Sequence, residues 1–221
     1  MTRTALRRKT ASPSVAECFM ACLDRAEEVH RPFQHWLLED VLPEDVLADI
    51  ANLPFAPPQN PVFDGRRESN NASRVFFTPE NQAKYFVCRE VASVFDDPTV
   101  VDTLEKVTGA NLRHGSLRIE YCQDANGFWL APHLNLAVKQ LTMMIYLSED
   151  PALLEAGTEL YDGSAAHECV ATVPYERGKG FVFVPGRTTW HGLRQRPIQG
   201  LRKTLVVNYV SPDWESKDQL S

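Results

Sequence analysis

Three short features hold the residue types from which a reactive centre can be built: His133-Leu134-Asn135, the isolated His191, and Arg202-Lys203-Thr204. Two imidazoles and a carboxylate on one face of an octahedron are enough to hold a redox metal while leaving its other positions open. A His-x-Asp segment with a distant histidine supplies such a face, but here the carboxylate position is taken by Asn135. A buried arginine with a hydroxyl neighbour, the pattern of Arg202 and Thr204, suits the far carboxylate of a dicarboxylate chelating that metal, because both groups donate strong hydrogen bonds to it. The remaining histidines have no such context: His30, His35 and His114 read as surface or core residues, and His167, after a turn, as solvent-exposed.

The elements that must position these residues change character along the chain. Between residues 12 and 109 the pattern is helical. Ser12-Pro13 starts a stripe of Val15, Cys18, Phe19, Cys22, Leu23 and Ala26, and Leu42-Pro43 leads into Val46, Leu47 and Ile50. Thr78-Pro79 opens a run through Ala83, Phe86, Val87, Val91, Val94 and Phe95, and Asp97-Pro98 opens another that stops at Gly109. The Pro-, Asn- and Gly-rich stretch from Pro54 to Ser73 reads as irregular. With Arg74, its residues Arg66, Arg67, Asn70 and Asn71 are candidates for a polar lid. After Gly109 the period becomes two: Leu117, Ile119 and Tyr121 alternate with Arg118 and Glu120, and Leu141, Met143, Ile145 and Leu147 with Thr142, Met144 and Tyr146. Further β runs at Cys169–Val173, Gly180–Val184 and Lys203–Val210 point to a sandwich or barrel of antiparallel strands. The fold class expected is mainly β with N-terminal helices, α+β.

Composition narrows the function. A chain of 221 residues fits one large domain, and its net charge of −6 argues against a dedicated nucleic-acid surface, which needs clustered cations. The basic stretch Arg3, Arg7, Arg8, Lys9 is too short to reverse that balance. Five cysteines without a repeated spacing fit a reducing cytoplasm better than a disulfide framework. Cys18 and Cys22 read as core residues rather than metal ligands. No run approaches the ~20 apolar residues of a membrane span.

Taken in order, these features resemble the superfamily of iron(II)- and 2-oxoglutarate-dependent oxygenases, nearest to its prolyl-hydroxylase-like branch. The likeness covers about residues 115–210, with a weaker echo in "PFQHWLLEDVLPEDVLADI". The family's His-x-Asp and Leu-Thr-x-x-x-Tyr-Leu pattern matches His133 and Leu141 to Leu147. Its glycine turn resembles Gly157-Thr158-Glu159-Leu160, with Ala156 in place of the first glycine. Its Pro–Gly–Phe strand resembles Pro174 to Phe181 and Phe183, its second metal histidine falls on His191, and its Arg-x-Ser/Thr on Arg202 and Thr204.

The resemblance implies a double-stranded β-helix (jelly-roll, cupin-like) core at 111–212. Helices at 12–110 would complete a single oxygenase-like domain, 12–221, behind a flexible leader, 1–11. It implies Fe(II), 2-oxoglutarate and dioxygen as cofactors. His133 and His191 become metal ligands with Asn135 in the third position, and Arg202 the partner of the 2-oxoglutarate C5 carboxylate. Thr204 and Tyr146 add hydrogen bonds to that carboxylate, and Tyr121 lines the co-substrate pocket. The expected reaction is hydroxylation of a small polar metabolite or amino-acid derivative, with Lys139 and Arg118 as candidates for substrate contact. Neither a nucleic-acid nor a membrane partner is expected.

Asn135 is the departure from the pattern. An amide oxygen is a poorer ligand than a carboxylate, and a flipped amide presents its NH2 to the ion. Three explanations stand: a natural variant, an inactivated form of a His-x-Asp enzyme, or a relative that has abandoned iron chemistry and binds a small acid through Arg202. Halogenases of the family open a halide site with a small residue, a vacancy that the larger Asn fills. A metal-dependent isomerase or lyase of the cupin type has no use for Arg202. Glu159 and Asp162 are the nearby carboxylates that could replace the missing one.

Overall fold

The computed structural model describes residues 13–59, 61–66 and 74–221. The leader, with its basic stretch, therefore lies outside the described residues, as do Ser12 of the first start signal and Arg67, Asn70 and Asn71 of the lid candidates.

Helix α1 (Val15–Asp24) is started by a capping box between Ser14 and Glu17, two residues later than Ser12-Pro13 suggests. Helix α2 (Glu44–Ala51) begins after Pro43. The expected long run from Pro79 is two helices, α3 (Pro79–Lys84) and α4 (Phe86–Phe95), because Tyr85 sits in extended backbone between them. Helix α5 (Pro98–Thr108) has Asp97 as its N-cap and ends on Gly109 at φ 72°, a left-handed conformation that glycine adopts without a Cβ clash.

The N-terminal part is not purely helical. It contributes β1 (Glu27–Val29), β2 (His35–Leu38) and β3 (Arg74–Phe76). They join β4 (Ser116–Asp124), β6 (Lys139–Tyr146), β9 (Gly180–Phe183) and β11 (Arg202–Val210) in a seven-stranded sheet of order β1-β2-β9-β6-β11-β4-β3. Strands of three or four residues carry too little periodicity to be seen locally, and pairing such as Trp36 with Val182 is what forms them. A second sheet has the order β5-β10-β7-β8, from β5 (Leu130–His133), β7 (Thr158–Tyr161), β8 (Cys169–Val173) and β10 (His191–Leu193). The pairings described are antiparallel.

Alternation along the large sheet sorts its side chains into two layers. Leu117, Ile119, Leu141, Met143, Leu205 and Val207 face the helices, where Phe19 and Phe95 are fully buried and meet edge to face at 4.9 Å. Each such phenyl group removed from water stabilises the fold by about 2 kcal/mol. Phe181, Phe183 and Tyr146 face the small sheet and pack on Leu160, Val173 and Leu193. The same alternation aims Asp124, Thr142, Arg202, Thr204 and Val206 into the space between the sheets, where they line a common cavity.

Candidate active site

His133 ends β5 and His191 begins β10, and the two are direct register partners across that ladder. Their rings lie 4.4 Å apart between centroids. Each Nδ1 sits 2.9 Å from a backbone carbonyl two residues earlier, Ala131 for His133 and Thr189 for His191. A carbonyl only accepts, so each neutral ring carries its proton on Nδ1, which leaves Nε2 with the lone pair that a metal requires.

Asn135 follows β5 and lines the same cavity. Its Nδ2 donates to Thr142 Oγ1 at 3.0 Å. Beyond Thr142 lies a buried chain of polar groups. The Thr142 hydroxyl contacts Asn208 Oδ1 at 2.9 Å, Lys139 Nζ donates to the same oxygen at 2.7 Å, and Asn208 Nδ2 donates to Glu120 at 2.9 Å. Glu120 also receives Arg74 at 2.5 Å and a hydrogen bond from Arg118. Lys139 and Arg118, the candidates for substrate contact, are therefore buried parts of the framework. The Arg118 guanidinium stacks on the rings of Phe76 and Trp214, 4.6 Å from each centroid.

Among the described residues no three His, Cys, Asp or Glu side chains come together as a metal cluster. Glu159 is fully buried but committed elsewhere, accepting from the Tyr161 hydroxyl at 2.6 Å, from the Arg194 amide and Nε, and from Arg196. Burial pushes its carboxyl up, and the Tyr161 and Arg194 donors outweigh that and hold it below the ordinary range. Asp162 is tied into its own turn through Ser164 and Glu168. Neither stands in for the missing carboxylate.

Arg202 is buried at the start of β11. Its Nε donates to the Ala156 carbonyl at 2.7 Å, and its Nη1 donates to Asp124 at 2.7 Å and to the Thr204 hydroxyl at 3.2 Å. Nη2 lies 3.5 Å from Thr158 Oγ1. Burial works against the charge on Arg202, but Asp124 and the nearby tyrosines outweigh it and keep the guanidinium protonated. Burial holds the Asp124 carboxyl above its ordinary range, and Arg202 and Arg74 offset only part of that rise.

Arg202 and Thr204 line the cavity that His133, His191 and Asn135 also line, together with Phe128, Met144 and Leu193. Tyr146 stands one step back: its hydroxyl donates to Thr158 Oγ1 at 2.8 Å, and its ring packs 5.7 Å from the Arg202 guanidinium. Tyr121 does not line this cavity. It shares the β4 face of Leu117 and Ile119, lies in the helix-side core, and donates to the Ala51 carbonyl at 3.3 Å. The face of β4 that meets the site belongs to Glu120, Cys122 and Asp124. Asp124 was overlooked in the sequence, although the parity of β4 marks it. His167 stacks on Trp190 at 4.1 Å, and neither lines the cavity. Of the lid candidates, Arg66 lines a second cavity, which His133 also borders, and Arg74 lines the first.

No family model matches the chain, and no curated protein is similar to it. Solved structures share its fold. A prolyl-4-hydroxylase from Pseudomonas putida superposes with a TM-score of 0.57 at 15% identity, covering 87% of this chain and 98% of that one. A prolyl hydroxylase from Trichoplax adhaerens, solved with a hypoxia inducible factor peptide fragment, has a TM-score of 0.57 at 12% identity, covering 89% of each. A non-heme alpha ketoglutarate dependent epimerase from nogalamycin biosynthesis has a TM-score of 0.52 at 16% identity, covering 89% of this chain and 82% of that one.

Proposed function

We propose that this chain, which has the fold of prolyl hydroxylases and of an alpha ketoglutarate dependent epimerase, is an iron(II)- and 2-oxoglutarate-dependent oxygenase with a double-stranded β-helix core. The observation that carries the proposal is the pairing of His133 with His191 in one register, each with Nδ1 on a carbonyl, in the same cavity as Arg202.

His133 and His191 would hold the metal through Nε2, with Asn135 as the third protein ligand. Bound iron(II) supplies the electrons and the dioxygen chemistry that protein side chains lack. The residues supply orientation and exclusion of water. The Ala131 and Thr189 carbonyls keep each imidazole proton on Nδ1, so neither ring turns a donor toward the ion. Arg202, flanked by the hydroxyls of Thr204 and Thr158, anchors the far carboxylate of 2-oxoglutarate by charge-assisted hydrogen bonds. Tyr146 acts through Thr158, holding its hydroxyl in place. Phe128, Met144, Leu193 and Val206 form the apolar walls, which strengthen each polar contact by keeping water out.

For the substrate we favour a small polar metabolite or amino-acid derivative. A second cavity of about 350 Å³, which His133 also borders, is lined by Arg66, Arg118, Trp214 and Gln219. Its size and partly polar lining suit a small polar molecule.

Asn135 also supports a second reading, a redox-inactive protein that binds a small acid through Arg202. Succinate production from 2-oxoglutarate with iron(II) in air separates the two. An oxygenase forms succinate and loses the activity in His191→Ala, and Arg202→Ala raises its KM for 2-oxoglutarate by about a hundredfold or more, as expected for loss of a charged anchor. Binding of 2-oxoglutarate without succinate from either this protein or Asn135→Asp would favour the binding protein.

A further inference from the structure

We infer that Arg74 is a substrate-anchoring residue: the unengaged edge of its guanidinium, which bears an Nε without an acceptor, takes a carboxylate of the substrate in the active-site cavity. The inference rests on the oxygenase reading and deepens it, because it makes the substrate a carboxylic acid distinct from the co-substrate that Arg202 anchors.

Arg74 reaches the cavity by the parity of the large sheet. On β3 it pairs with Cys122 of β4, and Cys122 pairs with Thr204 of β11. Arg74 shares their face and lines the same cavity as His133, His191 and Arg202. Two strand spacings, about 10 Å, separate its backbone from that of Thr204. It therefore stands apart from the 2-oxoglutarate anchor, on the edge strand of the sheet.

The guanidinium is buried, with 8% of the side chain exposed, yet most of its donors are idle. Among the described residues the side chain makes one hydrogen bond, from Nη1 to Glu120 at 2.5 Å, and its Nε is enclosed without a partner. The N–H groups on Nε and Nη2 point the same way, as a planar fork that matches the two oxygens of a carboxylate. Donation to Glu120 through Nη1 leaves that fork unused. Folded proteins leave few buried donors without acceptors, so an idle fork on a cavity wall points to a ligand. Burial works against the charge on Arg74, but Cys122, Glu120 and Asp124 around it outweigh that and keep it protonated. Glu120 is divided among Arg74, Arg118 and Lys139, and Asp124 is held by Arg202 at 2.7 Å. Pairing with Glu120 alone would be served by a lysine, whose ammonium has no fork. His133 borders both this cavity and the second one, which offers room for the rest of a small acid.

The test is acetate titration of the protein loaded with 2-oxoglutarate, read by the proton–nitrogen magnetic resonance signal of the Arg74 Nε–H group. Arg74→Lys identifies that signal by its loss and keeps a cation for Glu120. Arg74→Gln replaces it if the lysine variant does not fold, which circular dichroism reports. Acetate is expected to move the signal saturably, whereas acetamide, its neutral counterpart, and chloride leave it in place. Calorimetry is expected to find acetate bound at least about tenfold more weakly by Arg74→Lys, the scale of one lost hydrogen bond between charged groups. Equal acetate affinity in the wild-type chain and Arg74→Lys would overturn the inference, since a role confined to Glu120 survives that change. A signal that acetate does not move, or that chloride moves as far, would also overturn it. If 2-oxoglutarate fails to bind while acetate still moves the Arg74 signal, the acid anchor stands and the oxygenase reading falls.

Discussion

Arg202 Nη1 lies 2.7 Å from Asp124 Oδ2, and both side chains are buried. The cation proposed to anchor 2-oxoglutarate thus already holds a carboxylate from β4. The pair keeps Arg202 charged in a dry site, and a ligand carboxylate must share the guanidinium with Asp124.

Asp124→Asn keeps the shape and removes the charge. It leaves the Arg202 guanidinium without its buried anion, while Arg74 keeps Glu120. Breaking a buried pair in this way is expected to cost about 3 kcal/mol of stability. The ligand should repair part of that loss. In thermal melts, 2-oxoglutarate is therefore expected to raise the Tm of Asp124→Asn by more than it raises that of the wild type. A smaller shift in the variant would mean that Asp124 assists ligand capture instead of competing with it.

Glu159 predicts a pH dependence. Its carboxyl is held below the ordinary range in the fold, because the Tyr161 and Arg194 donors outweigh the effect of burial. A depressed acid stabilises the fold above its unfolded pKa, and the contribution disappears as pH falls through the folded value. Glu159→Gln is expected to lose about 2 kcal/mol at pH 7, the scale of hydrogen bonds to a charged group. Urea titrations taken downward in pH should then find the difference from wild type closing below about pH 4. A gap that stays constant into acid would assign the loss to packing.

Gly157 makes a close approach between strands. A Cβ there would fall 2.0 Å from the Val173 carbonyl oxygen. Gly157→Ala must push β7 from β8 and is expected to cost about 2 to 3 kcal/mol, in the manner of an overpacked site. It should also weaken 2-oxoglutarate binding, because the adjacent Thr158 contacts both Arg202 and Tyr146. Gly163→Ala, with nothing within 4 Å of the new carbon, is the control and should stay within about 0.5 kcal/mol of wild type. Unchanged ligand affinity in Gly157→Ala would uncouple the turn from the site.

What was legible in the sequence tracks the range of the forces involved. The long half-buried strands β4, β6 and β11 announce themselves because alternate residues meet different layers, and Asp97-Pro98 and Gly109 mark α5 by local capping alone. The strands that carry the histidines were not legible. β5 and β10 span four and three residues and exist through their pairing with each other and with β7, so His133 and His191 stand out by spacing and not by secondary structure. Tyr121 shows where resemblance misleads: it alternates with Glu120, and the same parity that puts Leu117 and Ile119 in the helix-side core puts Tyr121 there too. Asp124 lies on the site face by that rule and would have been found by following it along β4, as the parity of β11 places Asn208 with Arg202 and Thr204. The buried polar chain behind Asn135 links residues far apart in the sequence and has no local signature.

Calorimetric titration of 2-oxoglutarate into the anaerobic protein, with and without Mn(II), tests the shared site most directly. If His133, His191 and Asn135 hold the ion that the diacid chelates while Arg202 takes its far end, Mn(II) will tighten 2-oxoglutarate binding in the wild type and will not do so in His133→Ala or His191→Ala. Equal affinity with and without the ion in the wild-type chain would contradict the assignment.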